Sequence, residues 1–556
     1  MADNPVLLEI GVKNRPKIKD KGLRVLFVID GEDFIDPMGP AYLLAAAKEA
    51  GHEGDVLILS SSANPLEEIS NYRPHVIGYS AVTGTHQLYF RFNEKVRKYF
   101  PDIFTIMGGA HPTYYPECVR NQPIDAICTG EGEGAFVELL DRLASGMRGE
   151  ALYDIKNLGF PNGPINLKRA LVGDLDTLPM PNRDAIFNKA PRMGNLPSKS
   201  FMTSRGCPFL CSYCFEPVLK KMYKEENAFG ERKVLAGNRV SGRYERRHSI
   251  DRVVEEILDL KKRWPVEFIK FEDDLFVLAR NDPWLDEFAE RYPKEVGIPF
   301  NALVRVDSIN EWMAERLKAA GCVSLNISID AANREVRKRV VHKNFSNEAI
   351  IENFHLLDRY GINVFNNMIL GLPPVEREFA HTVIQDDKDA IDMEIAAKVK
   401  FSSRSILMPY PGTEIGKYCE EKGYFIMNVD EFGESLLERS PLNCFSEEQH
   451  SIMKNILYLS GLAVWQPWLA PFIKNRAVHW HSRFAKKLFF IIYCVVKGYT
   501  IRKYIYPIKI KNLATGIRML IKGFWIEAFR TIPEMRKTIT YPAPRVASAR
   551  ASPKPK

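Results

Sequence analysis

Residues 204–214 read Ser-Arg-Gly-Cys-Pro-Phe-Leu-Cys-Ser-Tyr-Cys, so that Cys207, Cys211 and Cys214 are separated by three and then two residues. The stretch follows a short apolar run and contains glycine and proline, which favour a loop. This spacing is expected to turn three thiolates towards one point and to leave a fourth coordination position open. A tetrahedral zinc site needs a fourth protein ligand, and no His or Cys follows closely. The three cysteines therefore favour a [4Fe–4S] cluster with one open iron, and a structural group of thiols is the alternative.

The length and composition are those of a multidomain globular protein. The chain has 556 residues, of which 46% are hydrophobic and 26% charged, which suggests about three or four domains. Nine cysteines, three of them clustered, favour a reducing compartment and a metal site over a disulfide framework. No signal peptide is evident, and no apolar run reaches the roughly 18 residues of a spanning helix. A cytoplasmic location is therefore expected.

The basic character belongs to the carboxyl-terminal part of the chain. Residues 446–556 contain 20 Lys and Arg against 4 Asp and Glu, a net charge of +16, whereas the whole chain carries +8. Helical patterns with interleaved aromatic and basic residues predict a mainly helical region over residues 431–541, and residues 542–556 are expected to be disordered. Three interpretations stay open: a helical cap over the neighbouring domain, a surface that contacts the inner face of an anionic membrane, and a nucleic-acid surface, for which no recognition motif is present.

Residues 1–145 alternate between strand and helix patterns. Strands are predicted at residues 24–30, 55–59, 76–79, 105–107 and 126–128, and helices at residues 41–50, 65–71, 87–99 and 134–143. This alternation predicts a doubly wound parallel sheet of the Rossmann or flavodoxin-like type, with helices on both faces. In such sheets a ligand binds beyond the carboxyl ends of the strands.

Small and polar residues follow the predicted strands of this domain. They would let a large flat ligand approach the backbone and form polar contacts. The candidate binding residues are Ser80, Thr83, Gly108, Gly109, His111, Thr113, Gly130, Glu131 and Glu133. For His111 a structural role beside a turn is favoured over metal ligation.

Residues 146–196 are rich in turn-forming residues and predict a connector, after which strands and helices alternate again over residues 197–430. Besides the run before the cysteines, strands are predicted at residues 267–271, 300–305, 323–329, 363–370 and 399–407, and helices at residues 251–263, 283–292, 309–320, 347–360 and 378–393. Six strands and five crossovers predict a (β/α)6 partial barrel, with the active site at the carboxyl ends of the strands. The candidate residues at those ends are Asp273, Asp274, Arg305, Ser328, Asp330 and Gly371.

Cys-x3-Cys-x2-Cys with an aromatic residue before the last cysteine resembles the radical S-adenosylmethionine (SAM) signature. The loops at residues 107–113 (MGGAHPT) and 129–140 (TGEGEGAFVELL) resemble the cobalamin-binding domain that precedes the barrel in many radical SAM enzymes. The resemblance covers about 400 residues, from residue 24 to about 424. It implies that the three cysteines hold the cluster, that SAM binds the open iron, and that the candidate residues of the two domains contact SAM and cobalamin.

Two departures from the family pattern limit the comparison. None of the 11 histidines lies in the Asp-x-His-x-x-Gly pattern that supplies a lower cobalt ligand in other cobalamin proteins. The resemblance therefore implies cobalamin without a histidine ligand. Asp330 stands where the family carries a glutamate that contacts the ribose, and the shorter side chain puts that direct contact in question.

The resemblance implies a cobalamin-dependent radical SAM methyltransferase that acts on an unactivated carbon. One SAM would yield a 5′-deoxyadenosyl radical, a second would methylate cob(I)alamin, and an external donor such as flavodoxin or ferredoxin would supply electrons. The alternatives are an oxidative cyclase or ring-rearranging enzyme and a non-catalytic cobalamin carrier or sensor. A tRNA methylthiotransferase would need three further cysteines in the first domain, which has only Cys118 and Cys128. A lipid, isoprenoid or tetrapyrrole substrate would suit the basic tail, but peptide, phosphonate and antibiotic-precursor substrates stay open.

Overall fold

The computed structural model describes residues 22–32, 36–235, 239–279, 281–425 and 439–507. This part of the chain divides into two compact units. The first unit extends to Asn166 and also takes Pro179–Gly194, whereas the second takes Leu167–Leu178 and the described residues from Asn195 onward. The predicted connector, residues 146–196, therefore contributes segments to both units.

The first unit is built on a six-stranded sheet. Its strands are β1 (Arg24–Ile29), β2 (Glu53–Ile58), β3 (Val76–Ser80), β4 (Phe104–Gly108), β5 (Ala126–Cys128) and β6 (Leu158–Gly159). Their order is β2-β1-β3-β4-β5-β6, with β1 to β5 parallel and β6 antiparallel to β5. After Arg24 every residue of the inner strand β1 is buried, which is why its sequence is a continuous apolar run.

Helices connect these strands. They are α1 (Met38–Glu49), α2 (Pro65–Tyr72), α3 (His86–Tyr99), α4 (Ala110–Tyr114), α5 (Glu133–Ala144), α6 (Arg183–Lys189) and α7 (Pro191–Gly194). The predicted strands and helices of this domain are all present, with ends that differ by at most three residues. The strand order is that of a doubly wound flavodoxin-like sheet, so the predicted fold class is confirmed.

The second unit contains a parallel six-stranded sheet and a two-stranded antiparallel ribbon. The strands are β7 (Ser198–Phe201), β8 (Ser204–Arg205), β9 (Arg246–Arg247), β10 (Phe268–Phe271), β11 (Phe300–Leu303), β12 (Cys322–Asp330), β13 (Asn363–Leu370) and β14 (Phe401–Ile406). The sheet runs in sequence order from β7 through β10 to β14, and the ribbon pairs β8 with β9. The six strands of the predicted partial barrel are confirmed, whereas the two-residue strands of the ribbon were too short to give a sequence pattern.

The helices of the second unit cover this sheet and extend beyond it. They are α8 (Glu216–Glu225), α9 (Ile250–Arg263), α10 (Pro283–Glu295), α11 (Glu311–Ala319), α12 (Arg334–Arg339), α13 (Asn347–Arg359), α14 (Ala380–Ala396), α15 (Glu414–Glu421), α16 (Glu447–Trp465), α17 (Ala470–Asn475) and α18 (Arg483–Thr500). In helix α9 the local sequence determines where the helix begins. The Ser249 hydroxyl caps the helix by accepting a hydrogen bond from the Arg252 amide. Three basic residues in its last turn suit the negative end of the helix dipole.

The described part of the basic tail closes the second unit at the edge strand β14. Helix α16 packs on β14, on α14 and on α18. After α18 the chain makes a π-helical turn, Ile501–Ile505, whose carbonyl groups reach the amino-terminal parts of two strands. The Ser324 hydroxyl donates to the Ile505 carbonyl (2.8 Å), and the Asn363 side-chain amide donates to the Tyr504 carbonyl (2.9 Å). Residues 508–556, including the predicted disordered tail, lie outside the described residues.

Within the described ranges, no helix combines the length and the apolar character that crossing a membrane requires.

Candidate functional site

The cysteine loop begins at the carboxyl end of β7, the first strand of the parallel sheet. Gly206, immediately before Cys207, has φ +87°, and a Cβ atom there would lie 2.7 Å from the Tyr244 carbonyl oxygen. Only glycine adopts a positive φ readily and has no Cβ atom to collide with that oxygen. The Gly-Cys-Pro sequence therefore sets the direction in which the chain enters the loop.

Ser212, between the second and third cysteines, fixes the middle of the loop. Its amide donates to the Val341 carbonyl (3.2 Å), its hydroxyl donates to the Val340 carbonyl, and its carbonyl accepts from the Ile415 amide (3.0 Å). Ser212 is buried, so these bonds are shielded from water. The loop is thereby anchored to segments that follow β12 and β14.

The three cysteine residues are half-buried, unlike the fully buried Cys118, Cys128, Cys322 and Cys419. Burial raises the pKa of the Cys207 and Cys214 thiols to about 12, although the backbone amides of Phe209 and Glu216 act in the opposite direction. Burial likewise raises the pKa of Cys211, against the lowering effect of Lys343 and Arg305. Binding to iron would have to displace these protons.

Among the described residues, no three His, Cys, Asp or Glu side chains converge closely enough to hold a single metal ion. This absence concerns the ligands of a single ion, so the assignment of Cys207, Cys211 and Cys214 to one cluster stays a prediction. In a four-iron cluster each cysteine binds a different iron, so the thiols need only border a common volume. Cys211 is near enough to both Cys207 and Cys214 to contribute to the rise of their pKa values.

Arg305, after β11, is directed at the cysteine loop. Its Nη1 donates to the Cys211 Sγ (3.3 Å), and its guanidinium lies 3.8 Å from the centre of the Phe209 ring. Two hydrogen bonds to Asp307, at 2.8 and 2.7 Å, hold the guanidinium in this orientation. Arg305, a candidate SAM residue, thus contacts one of the three predicted cluster cysteines, and Phe209 and Asp307 are partners that the sequence did not indicate.

Asp330 and Ser328 meet a buried lysine at the end of β12. Lys343 forms an ion pair with Asp330 and donates to the Ser328 carbonyl (2.7 Å). Both charged side chains are buried, so each offsets the cost of burying the other. Tyr213, inside the cysteine motif, hydrogen-bonds to Asp330. Burial is the main reason that the pKa of Tyr213 lies well above its usual value, and the negative charge of Asp330 raises it further. Asp330 therefore links β12 to the loop.

Asp273 and Asp274, after β10, are placed differently from each other. The buried Asp273 Oδ1 accepts hydrogen bonds from the Thr203 amide (2.8 Å), the Thr203 hydroxyl (2.9 Å) and the Ser204 hydroxyl (2.6 Å). Burial outweighs these bonds and raises the pKa of Asp273 to about 6. Asp274 is exposed and accepts from the Gly206 amide at 3.3 Å. Asp273 holds the start of the loop through Thr203 and Ser204, and Asp274 contacts the loop through the Gly206 amide.

Gly371 closes β13 with φ +65°, where a Cβ atom would lie 2.7 Å from the Met453 sulfur. Its amide donates to the buried Asp387 carboxyl at 3.3 Å.

The site in the second unit brings together the cysteine loop, Arg305, Asp330 and Asp274. All of them lie at the carboxyl ends of the strands, as their order in the sequence predicts.

In the first unit, three loops after β3, β4 and β5 are joined by hydrogen bonds. The Thr113 hydroxyl donates to the Gly109 carbonyl (2.7 Å) and accepts from the Gly130 amide (3.0 Å). Gly109 lies against the Ala81 backbone with φ +95°. A Cβ atom added at Gly108 would come no closer than 3.8 Å to its neighbours, so the missing side chain leaves space at this edge. Small residues and hydroxyls at one sheet edge suit a large flat ligand such as a corrin.

His111 is part of the protein interior at this edge. Its ring is buried, stacks on His86 with centroids 4.0 Å apart, and interacts through Nδ1 with the Thr83 hydroxyl (3.0 Å). Burial is the main cause that lowers the pKa of His111 to about 3, and the neighbouring His86 lowers it further. The ring is therefore neutral at physiological pH. This geometry is that of a structural histidine.

The other candidate residues of the first unit stand at the same edge. Ser80 is exposed at the end of β3, and Glu133 is buried at the first position of α5. The Glu131 carbonyl accepts from the Asn157 side-chain amide (3.3 Å), which also donates to the Thr129 carbonyl (2.7 Å). Like Ser212 and Lys343, Asn157 carried no sequence signal, because its role depends on a distant backbone segment.

Comparisons with known proteins match the two parts of the chain to two different domain families. Residues 25–140 match the B12 binding domain, and residues 201–384 match the Radical SAM superfamily. An uncharacterized methyltransferase of Pyrococcus horikoshii is 28% identical over 395 residues, which are 69% of this chain and 78% of that protein. The anaerobic magnesium-protoporphyrin IX monomethyl ester cyclase of Rubrivivax gelatinosus is 26% identical over 412 residues, 66% of each chain.

The fold also matches a solved structure. The radical S-adenosylmethionine methyltransferase TsrM from Kitasatospora setae, solved with cobalamin and a [4Fe–4S] cluster bound, superimposes with a TM-score of 0.55 at 18% identity. The match covers 72% of this chain and 75% of that one.

Proposed function

We propose that this chain, a radical SAM enzyme with an N-terminal B12-binding domain, transfers a methyl group to an unactivated carbon atom of a small molecule. The observation that carries the proposal is the anchored three-cysteine loop at the carboxyl end of the parallel sheet, with Arg305 directed at one thiol. A second site in the same chain has small and hydroxyl residues at the ligand-binding edge of a doubly wound sheet.

The proposal assigns each cofactor to residues of the described ranges. Cys207, Cys211 and Cys214 would hold a [4Fe–4S] cluster, SAM would bind near Asp274 and the ends of β11 to β13, and cobalamin would bind at the edge formed by Gly108, Thr113 and Gly130. When bound, the cluster and SAM supply a 5′-deoxyadenosyl radical that removes a hydrogen atom from carbon, and methylcobalamin supplies the methyl group. An external one-electron donor such as flavodoxin or ferredoxin would reduce the cluster.

The protein's own contribution is position and exclusion of water. Ser212 and Asp273 fix the cysteine loop through backbone contacts, and Asp307 holds the Arg305 guanidinium beside Cys211. The buried Lys343–Asp330 pair fixes the end of β12. These residues are positioning residues, because they act through the loop and the strand ends.

Cobalamin is proposed to bind without a histidine ligand to cobalt. His111, the histidine at the candidate edge, is buried and stacked on His86. A ligand to cobalt would have to leave that stack and the contact with Thr83.

The relatives leave a second reaction open. The names of some relatives state methyl transfer, to substrates as different as cytidylyl-2-hydroxyethylphosphonate and a bacteriochlorophyllide, and that of another is hopanoid C-3 methylase. The similarity to an anaerobic cyclase of a protoporphyrin ester favours oxidative cyclisation as the runner-up. Both reactions would use the same cofactors, so the product decides between them.

The test is anaerobic turnover of the reconstituted enzyme with methyl-deuterated SAM, a chemical reductant and a small-molecule extract of the source cells. Methyl transfer predicts a product that gains the deuterated methyl group, together with 5′-deoxyadenosine. Formation of 5′-deoxyadenosine with an unlabelled product would overturn methyl transfer in favour of cyclisation.

The matched controls are single cysteine variants. C207A, C211A and C214A are expected to lose iron and to form no 5′-deoxyadenosine, whereas C444A, which changes a thiol outside the loop, should keep both. Full activity in any of the three loop variants would contradict the cluster assignment.

A further inference from the structure

Helix α18 carries a continuous apolar stripe on its outer surface. Phe484, Leu488, Ile491, Val495 and Tyr499 are between 40 and 76% exposed. Their spacing of four, three, four and four residues places all five on one face of the helix. Isolated exposed apolar residues are ordinary, but a row over the full length of a helix marks a contact surface.

The stripe is separate from the face by which α18 is attached to the protein. Ala485, Phe489, Val496 and Thr500 are the buried residues of this helix, and they pack towards α16. The protein therefore already uses one apolar face of α18 for folding. The exposed stripe is a second one.

Exposed aromatic rings adjoin the helix. Trp480, which is 47% exposed, stacks on Phe489 with centroids 6.2 Å apart, and Phe472 lies 5.7 Å from Trp480. Trp468, which lies in the turn between α16 and α17, is 75% exposed. Amphipathic rings of this kind settle at the boundary between lipid and water.

The charged residues of α18 and of the turn after it are all positive. Arg483, Lys486 and Lys487 are exposed at the start of α18, and Arg502 and Lys503 are exposed after it. Residues 483–507 contain no Asp or Glu. Cations in the first turn oppose the helix dipole, so helix stability does not account for Arg483 and Lys486. An anionic surface would account for them.

We infer that α18 docks the protein on an anionic phospholipid surface, with the stripe at the acyl boundary and the basic residues at the headgroups. The helix would lie on the membrane and not cross it. The inference goes beyond the proposed reaction and does not depend on it, because neither cofactor nor substrate takes part in the contact. A surface-bound enzyme would have access to apolar substrates dissolved in the lipid.

The test is flotation of the full chain with vesicles of phosphatidylcholine and phosphatidylglycerol in equal parts, compared with phosphatidylcholine alone. We expect binding to the anionic vesicles that weakens with added salt. The I491E/V495E variant should lose about tenfold or more in partitioning, and K486Q/K487Q should lose about tenfold on anionic vesicles only. L167E/V234E, which changes two residues that are 64 and 81% exposed away from α18, should bind like the wild type.

Three results would overturn the inference. One is absence of flotation by the full chain. Another is equal binding by I491E/V495E and by the L167E/V234E control. The last is a wild-type dimer that becomes monomeric in I491E/V495E without vesicle binding, which would assign the stripe to a second copy of the chain. Unchanged circular dichroism and iron uptake would show that the variants fold.

Discussion

Arg305 and Gly109 show how single residues define the two candidate cofactor sites. Arg305 uses three of its nitrogens at once, two for Asp307 and one for the Cys211 sulfur. A lysine has no planar fork for this arrangement. Gly109, with φ +95° and ψ −168°, lies in a region that is essentially restricted to glycine.

Changing Arg305 should alter the electronic properties of the cluster. Arg305→Gln removes a positive charge and an N–H donor from the Cys211 sulfur, so the reduced cluster loses stabilisation. We expect the midpoint potential to fall by about 60 mV, which is a tenfold change for a one-electron couple. Redox titration followed by electron paramagnetic resonance measures it. Arg305→Lys should give a smaller shift, and an unchanged potential in both variants would exclude a role beside the cluster.

Changing Gly109 should weaken the cobalamin site. Gly109→Ala places a Cβ atom 2.7 Å from the Ala81 carbonyl oxygen in an unfavourable backbone conformation, at a cost of about 1–3 kcal/mol. The variant should retain less cobalamin, as measured by corrin absorbance after gel filtration. Gly146→Ala is the control, because Gly146 also has positive φ, +83°, but no atom within 4 Å of its Cβ position. Equal losses in both variants would attribute the effect to backbone strain alone.

At the scale of the element, helix α14 supports the end of β13 through a buried acid. Asp387 accepts the Gly371 amide at 3.3 Å, and the neighbouring Glu394 forms an ion pair with Arg404 (2.6 Å) that is completely buried. Burial raises the pKa of Asp387 to about 8 despite the nearby Arg404, while Asp386 adds to the rise. The folded protein therefore holds a proton on Asp387 at neutral pH.

Because the folded-state pKa of Asp387 is raised, the folded state binds more protons than the unfolded state between about pH 4 and pH 8. Its contribution to stability is present at low pH and is lost as the pH rises through this window. Asp387→Asn cannot titrate and keeps an acceptor for Gly371. The variant should gain at least about 1 kcal/mol over the wild type at alkaline pH, with little difference near pH 5.

Urea unfolding at several pH values measures this difference. Asp389→Asn, which changes an exposed residue of the same helix, should follow the wild type at every pH. A constant difference for Asp387→Asn across the range would show that hydrogen bonding and not titration governs its effect.

At the scale of the whole molecule, the end of the described chain completes the second unit. The turn after α18 bonds to Ser324 and Asn363, which precede it by more than 140 residues, and Tyr506 packs edge-on against Phe268 at 5.6 Å. Ile505 is fully buried there. The basic tail is therefore part of the folded unit up to this point, as well as a candidate membrane surface.

Ile505→Ala should destabilise the second unit by about 2–4 kcal/mol, since it removes buried methyl groups and leaves a cavity. Val495→Ala on the exposed stripe of α18 should change stability by no more than about 0.5 kcal/mol. Differential scanning calorimetry of the full chain compares them. Equal thermal stability of the two variants would show that the turn does not support the sheet.

The sequence by itself determined the cysteine spacing, the two alternating regions and the order of polar residues at the strand ends. These are properties of local periodicity and short spacing, and the strands and helices of both sheets follow them closely. Tertiary structure alone decided which residues meet across the fold, such as Arg305 with Cys211, Ser212 with Val341, and Asp273 with Thr203. It also decided which face of α18 is covered, because an apolar helix can bury more than one face and only its neighbours determine which one stays exposed.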